Sequence, residues 1–332
     1  MKHTAFLLPF LVAAATLAQA PKGAPVAPDA SEQAKVAALK GKANGLIVWS
    51  SSRVGNHKIF AMDADGQNTR QITKGNKTDW YPRISPDGTR VIFTRSKLDW
   101  TAEMNANYPE RWDTWIVNAD GSGEKLLVPN STWATWRPDG SIVYSRGADV
   151  FTAKGDGTGE VKLVDGKALL KGGIAQNPNM STDGKFLAIT LRGSERSVGV
   201  LNLSTKQWFE SASGGGCQMT FFPGGRRVVR VNPTGNGGTE LYAYDLDASG
   251  KHGALSADQQ KWLDLPGRRS HEYFPQISQD GKWLVWAATD RGHDHDIVDY
   301  EIHLLKIGES ADKAVRLTFH SGNDRWPDAW MK

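Results

Sequence analysis

The sequence predicts an all-β fold, a six-bladed β-propeller of four-stranded blades in which a C-terminal strand completes the first blade. The first observation is a four-residue turn that recurs as Ser85-Pro86-Asp87-Gly88, Arg137-Pro138-Asp139-Gly140, Ser181-Thr182-Asp183-Gly184, Phe222-Pro223-Gly224-Gly225 and Ser278-Gln279-Asp280-Gly281. The last glycines of successive copies are 52, 44, 41 and 56 residues apart, which is the period of a four-stranded propeller blade. Proline and glycine favour a tight turn at these positions, and each copy precedes a β-rich run such as Arg90-Val91-Ile92-Phe93.

A second repeated element supports the same period. Asp-Gly turns at 63–66, 118–121 and 154–157 each follow a strand-like run, so that one unit contains strand A, a turn, strand B, a loop, strand C, an Asp-Gly turn and strand D. The segments 82–88 (PRISPDG) and 59–66 (IFAMDADG) resemble the repeat of the TolB-type β-propeller family. The resemblance extends over residues 46 to 330. The resemblance implies the fold. We expect no counterpart of the N-terminal domain of TolB before residue 46, and we do not carry over the docking role of TolB.

The count of repeats predicts six blades and the way in which the ring closes. The first B strand, Leu46-Ile47-Val48-Trp49, has no strand A before it, strand A being the inner strand of each blade. The C-terminal run 324–330 (DRWPDAW) matches 79–85 (DWYPRIS) position by position but has no turn after it. We therefore expect this run to be strand A of blade one, which leaves no exposed sheet edge in a propeller domain of residues 46–332.

The N-terminal segment predicts export. Residues 1–20 have the pattern of a signal peptide, with Lys2, an apolar stretch and Ala18-Gln19-Ala20 as a cleavage site, and residues 21–45 are expected to be a linker with one or two helical turns. The apolar stretch is too short for a membrane span, and the lone Cys217 cannot form an internal disulfide. We expect a periplasmic or secreted bacterial protein. The net charge of +4 without a Lys/Arg run argues against a nucleic-acid partner.

The six inner strands align and predict which side chains face the central channel. Apolar residues that should pack between blades are Ile84, Trp136, Met180, Phe221, Ile277 and Ala329, with mostly proline two positions before them. The alternate face is polar and should line the channel, with Arg83, Thr135, Asn179, Thr220, Gln276 and Asp328 at equivalent positions.

A ligand site is predicted at the mouth of the channel on the top face, the face that carries the D–A and B–C loops. Acidic residues before the inner strands fall on three adjacent blades, aromatic residues lie beside them, and the insertion 96–112 adds further aromatic residues on the same face. A plainer interpretation is that Asp79 and Asp324 accept backbone N–H bonds from the D–A loops. The predicted ligand-binding residues, with rings only partly buried, are Asp79, Tyr81, Arg83, Trp100, Trp133, Glu272, Phe274, Asp324, Trp326 and Asp328.

Four histidines in the same loops suggest a metal as an alternative. His293-Asp294-His295-Asp296 could supply metal ligands or be a solvated loop. His271-Glu272-Tyr273 resembles a segment of the oligogalacturonate lyases, TolB-related propellers that abstract a proton beside a uronate carboxylate with a His-bound divalent metal. The resemblance covers these three residues only. On the enzyme hypothesis we expect His271, His320 and Glu272 or Asp324 at the metal or as the base. No Gly-x-Ser-x-Gly motif or recognisable Ser-His-Asp order points to a hydrolase.

Two functions therefore remain open. The first is a non-catalytic exported module that binds a glycan, a peptide or a loop of a partner protein at the top-face mouth of the channel. The second is a metal-assisted enzyme that degrades polysaccharide, and only this hypothesis needs a cofactor, a divalent metal. We prefer the first, because a propeller fold does not specify a function and no complete catalytic set is visible.

Overall fold

The computed structural model describes residues 23–169, 173–193, 196–213, 216–224, 226–234, 238–246, 260–267, 269–292 and 294–332. The predicted signal peptide, residues 1–20, lies outside the described residues. In the described part of the chain, strands form six antiparallel sheets of four strands each, arranged as the six-bladed propeller that the sequence predicts.

Each blade contains one inner, two middle and one outer strand. Blade one contains β1 (Gly45–Ser51), β2 (Lys58–Asp63) and β3 (Arg70–Gln71), with its inner strand supplied by the last strand of the chain. Blade two contains β4 (Asp79–Ile84), β5 (Arg90–Ser96), β6 (Trp112–Asn118) and β7 (Lys125–Pro129). Blade three contains β8 (Thr132–Trp136), β9 (Ile142–Arg146), β10 (Asp149–Ala153) and β11 (Val161–Val164).

The second half of the ring repeats this order. Blade four contains β12 (Ile174–Met180), β13 (Phe186–Arg192), β14 (Ser197–Asn202) and β15 (Trp208–Ser213). Blade five contains β16 (Cys217–Phe221), β17 (Arg227–Asn232), β18 (Glu240–Asp245) and β19 (Gln260–Leu263). Blade six contains β20 (His271–Ile277), β21 (Trp283–Thr289), β22 (Glu301–Lys306) and β23 (Val315–Arg316).

The C-terminal strand closes the ring. Strand β24 (Asp324–Met331) pairs antiparallel with β1, with Leu46 opposite Trp330 and Ile47 opposite Ala329. The closure predicted from the sequence is therefore confirmed. Because β24 belongs to blade one and packs against the inner strands of both neighbouring blades, it joins the two ends of the ring.

The segment predicted as a linker packs against blade six. Helix α1 (Ala30–Ala37) begins at Asp29, whose side chain accepts a bond from the backbone N–H of Glu32, while the Glu32 carboxylate accepts one from the N–H of Asp29. Glu32 also pairs with Arg316 at 3.2 Å, and the Val26 N–H donates to the carbonyl of Phe319. A second short helix, α2 (Gly166–Leu169), follows β11. Neither these helices nor the 3-10 turns in the described ranges are long and apolar enough to cross a membrane.

The core lies mainly between neighbouring blades. Between blades one and two, for example, Val48 and Ile59 belong to the same buried cluster as Ile84, Val91 and Phe93. Full burial of each such side chain contributes about 1.5–3 kcal/mol. Middle strands such as β1 and β21 are buried along almost their whole length, because each sheet packs between two neighbouring blades.

Each inner strand contains an irregularity at an equivalent position, where its register with the neighbouring strand shifts. At this position the backbone has a φ between 52° and 60°, a left-handed conformation that is uncommon for residues other than glycine. The residues in this conformation are Tyr81, Trp133, Asn177, Gln218, Phe274 and Trp326.

Candidate functional site

The aromatic residues predicted at the top-face mouth form a buried plug. Tyr81, Trp133, Phe274 and Trp326 are at most 2% exposed, so the expectation that their rings are only partly buried is wrong. The ring centroids of Phe274 and Trp326 are 4.2 Å apart, and those of Tyr81 and Trp326 are 5.1 Å apart. These four residues, the aromatic plug, fill the channel axis with mostly edge-to-face contacts.

All four residues of the aromatic plug have the left-handed backbone conformation described above. Its positions coincide with the irregularities at which each inner strand departs from regular pleating, so strict alternation does not describe the side chains there. The corresponding residues of blades four and five are Asn177 and Gln218, which are also buried. Gln218 Oε1 accepts a 2.6 Å bond from the backbone N–H of Phe274 and so ties blade five to the plug.

The acidic residues before the inner strands are used inside the protein. Asp79 is fully buried, accepts bonds of 2.6 and 2.8 Å from Arg95, and pairs with Lys58 at 3.1 Å. Asp324 is also fully buried, where it accepts a bond from the Ser51 hydroxyl and pairs with Arg53 at 2.6 Å. Their partners are mostly cationic side chains and not the backbone N–H groups of the plainer interpretation. Neither carboxylate faces an open mouth.

Glu272, the candidate base, is also fully buried. Its Oε1 accepts a 2.8 Å bond from the backbone N–H of Leu265, while its Oε2 has no hydrogen-bond partner in the structure. Burial raises the pKa of Glu272 to about 9, with smaller contributions from the charges of Asp264 and Glu240. The group is therefore a neutral acid at pH 7.

Sequence reasoning gave no separate role to Glu103, which connects the B–C insertion to the closing strand. It lies in a 3-10 turn (Glu103–Asn107) and accepts bonds from Arg325 Nη1 at 2.8 Å and Trp326 Nε1 at 2.9 Å. Its other oxygen lies 2.9 Å from His295 Nδ1. Burial alone would raise the pKa of Glu103, but the charges of His295 and Arg325 outweigh that effect and lower it to about 2. The insertion, with Trp100 half-buried in it, thus covers the plug.

The histidines proposed as metal ligands lie beside different elements. His271 adjoins Gly238, in the loop between β17 and β18, whereas His320 adjoins Gly23 and accepts a 3.0 Å bond from the Gly322 N–H. His295 is engaged with Glu103, and His293 lies outside the described residues. Within the described ranges, no three His, Cys, Asp or Glu side chains come together in a way that could hold a metal ion. The described residues, which do not include His293, therefore do not fit the metal that the second hypothesis needs.

The channel opens instead on the opposite face, at the A–B turns. A cavity of about 570 Å³ is lined by the ends of all six inner strands and by the turns that follow five of them. The six polar residues predicted to face the channel all line it, namely Arg83, Thr135, Asn179, Thr220, Gln276 and Asp328. This face prediction is confirmed, but the cavity is on the A–B turn face and not on the predicted top face.

The mouth of this cavity is apolar and its interior is polar. Pro86, Pro138 and Pro223 of the repeated turns are exposed at the rim, and the half-buried rings of Trp136 and Trp330 lie among them. Trp136 packs between blades two and three as expected, against the buried cluster that contains Ile92 and Ile142, and part of its ring remains exposed. Its indole N–H donates to the carbonyl of Arg83 at 3.1 Å, and this bond holds one face of the ring at the cavity. The proline that recurs in the repeated turn is the sequence feature that could have indicated this rim.

Comparison with known proteins supports a TolB-like propeller. No protein-family model matches the chain. It is 26% identical over 166 residues to a TolB homolog of Chlorobium luteolum, covering 48% of this chain and 35% of that protein. It is 38% identical over 52 residues to the Tol-Pal system protein TolB of Geobacter metallireducens, covering 16% of this chain and 12% of that protein. The matched parts span about a third or less of these relatives.

A solved structure supports the fold independently. The putative TolB from Agrobacterium tumefaciens matches with a TM-score of 0.57 over 85% of this chain and 98% of that chain, at 12% sequence identity. At that identity the likeness concerns the fold alone.

Proposed function

We propose that this chain is an exported binding module whose channel, open on the face of the A–B turns, holds a segment of a partner protein. The observation that carries this proposal is the cavity of about 570 Å³, to which every blade contributes an equivalent polar residue. Its volume falls in the range of pockets that bind small ligands and short segments, about 300–1,000 Å³.

The chemistry of the cavity fits an extended polypeptide. The apolar rim of proline and tryptophan can cover apolar side chains of the bound segment. The threonine, asparagine and glutamine side chains inside the cavity can form hydrogen bonds with the backbone of that segment. Rigid turns after the inner strands form the rim, so little ordering is needed when the ligand binds.

The relatives favour a protein partner. Several are named TolB homologues, and one is named as a protein of the Tol-Pal system. The signal-like pattern of residues 1–20 supports a periplasmic or secreted location for this chain. The enzyme alternative has less support, because Glu272 and Asp324 are buried, and because His271, His295 and His320 lie beside different elements.

Site-specific cross-linking in the cells that produce the protein tests the proposal. A photo-crosslinking residue at Pro138, on the rim, should capture one or a few polypeptide segments, identified by mass spectrometry. The same residue at Val161, which is 59% exposed on β11 away from the cavity, is the control. Gln276→Trp, which fills the channel from a half-buried position, should abolish capture at Pro138.

Other results would contradict the proposal. Capture of carbohydrate alone would replace the polypeptide by a glycan. Equal capture at Pro138 and Val161, or capture that Gln276→Trp leaves unchanged, would show that the channel is not the binding site.

A further inference from the structure

The inner part of the channel contains a buried cation with unused hydrogen-bond donors. Arg83 is 2% exposed, and its guanidinium carbon lies 3.8 Å from the centroid of the Tyr81 ring. Its Nη1 donates to the carbonyls of Pro82 at 2.7 Å and Pro327 at 3.4 Å. Its Nε and Nη2 are buried and have no hydrogen-bond partner in the structure.

Asp328 compensates this cation without an ion pair: burial raises the pKa of its carboxyl, and the charge of Arg83 partly offsets that rise. The charged residues that line the cavity are Arg83, Arg137 and Asp328. Asp328 uses Oδ2 to accept a 2.7 Å bond from the Ile84 N–H, and among the described ion pairs within 4.0 Å none joins it to Arg83. Arg137, nearer the mouth, is already bonded to Ser141 and paired with Asp139.

A buried, incompletely bonded guanidinium destabilises a protein by several kcal/mol unless a partner is supplied. The cation–π contact with Tyr81 offsets about 2 kcal/mol of this cost. The two unbonded donors, Nε and Nη2, form the side-on fork of the guanidinium, whose spacing matches the two oxygens of a carboxylate.

We propose that Arg83 is the anchor for a carboxylate of the bound segment, which the two unbonded donors grip in bidentate fashion. The proposal rests on the proposed function, because it deepens the chemistry of the same channel. The carboxylate belongs either to an Asp or Glu side chain or to the C-terminus of the partner. The surrounding hydroxyl and amide groups of Thr135, Asn179, Thr220 and Gln276 can bond to the remainder of the segment.

The probe is a synthetic array of random heptapeptides with free C-termini, applied to the wild-type protein. Peptides that bind, and that the channel-filling Gln276→Trp no longer retains, should contain Asp or Glu or depend on the free C-terminus. Replacing the acid by its amide, or amidating the C-terminus, identifies which carboxylate is held. Either the matching replacement or Arg83→Gln should weaken binding about 10- to 100-fold, the effect of losing a charge-assisted bond.

Two variants control this measurement. Arg137→Gln removes the other cavity arginine and should weaken binding no more than about five-fold, since that side chain is partly exposed and already paired. Arg83→Lys keeps the charge without the fork and should still bind at least ten-fold more weakly than wild type, which keeps the test valid if Arg83→Gln does not fold.

The outcomes separate the two proposals. Channel-dependent peptides that bind Arg83→Gln and wild type equally, or that show no preference for a carboxylate, would overturn the anchor and leave the proposed function standing. Peptides that bind Gln276→Trp as well as wild type, or no binding peptides at all, would overturn both.

Discussion

Replacing Glu103 with glutamine should destabilise the protein by about 3 kcal/mol at pH 7. The substitution keeps the shape of the side chain but removes the charge that faces His295 and the fully buried Arg325. The pKa of Glu103 falls from 4.5 to about 2 in the folded protein. Each pKa unit corresponds to about 1.4 kcal/mol, which gives the expected magnitude.

The pH dependence follows from the sign of this shift. Because the folded pKa lies below the unfolded one, the carboxylate contributes its full stabilisation above about pH 4.5 and loses it as the pH falls towards 2. Urea unfolding of wild type and Glu103→Gln should therefore differ most at pH 7, by about half as much at pH 3, and hardly at all at pH 2.

A second glutamate provides the matched control. Glu124 pairs with Arg95 but its side chain is 28% exposed, so Glu124→Gln should cost no more than about 1 kcal/mol. Equal losses for the two variants, or a loss for Glu103→Gln that is the same at pH 7 and pH 2, would refute the reasoning.

Two further predictions concern the closed end of the channel. Trp326→Ala should lower the free energy of unfolding by about 3–5 kcal/mol, because it opens a cavity in the aromatic plug and removes the indole bond to Glu103. Trp136 is only half-buried, so Trp136→Ala should lower it by less than half as much, and equal losses of melting temperature in calorimetry would contradict this order. Glu272→Gln should stabilise the protein by about 1–3 kcal/mol at pH 7 and leave its stability unchanged below pH 4.5. The reason is that the raised pKa of Glu272 makes the wild-type protein lose stability as the pH rises from 4.5 to 9. If urea unfolding shows no such loss of wild-type stability with rising pH, Glu272 is not neutral at pH 7.

Local chemistry explains why the architecture could be predicted. The turn Ser85-Pro86-Asp87-Gly88 and its copies fix hairpins through the backbone preferences of proline and glycine, which do not depend on the rest of the chain. The closing strand was recognisable because 324–330 matches 79–85, and its pairing with β1 agrees with that match. Alternation along the inner strands also identified the six polar residues of the channel.

The open end of the channel could not be predicted in this way. The alignment of the inner strands places Tyr81 and Trp326 at equivalent positions, but it does not show that four rings from different blades are close enough to fill the channel axis. Asp79 looked available in the sequence, but Lys58 and Arg95 lie 21 and 16 residues away along the chain and occupy it. Glu103 and His295 are separated by 192 residues, so their pairing depends on the closed ring.

The two ends of the channel separate stability from binding. At the top face, aromatic rings and paired charges such as Glu103 and Arg325 are buried together, so substitutions there should act mainly on folding. At the A–B turn face, Arg83 remains incompletely bonded beside the cavity, so its replacement should weaken the proposed binding without destabilising the fold. A propeller that blocks one end of its channel with its own side chains leaves a single direction for a ligand to enter. In the complex that we propose, the ligand passes the proline rim before it reaches Arg83, so apolar contact precedes charge recognition.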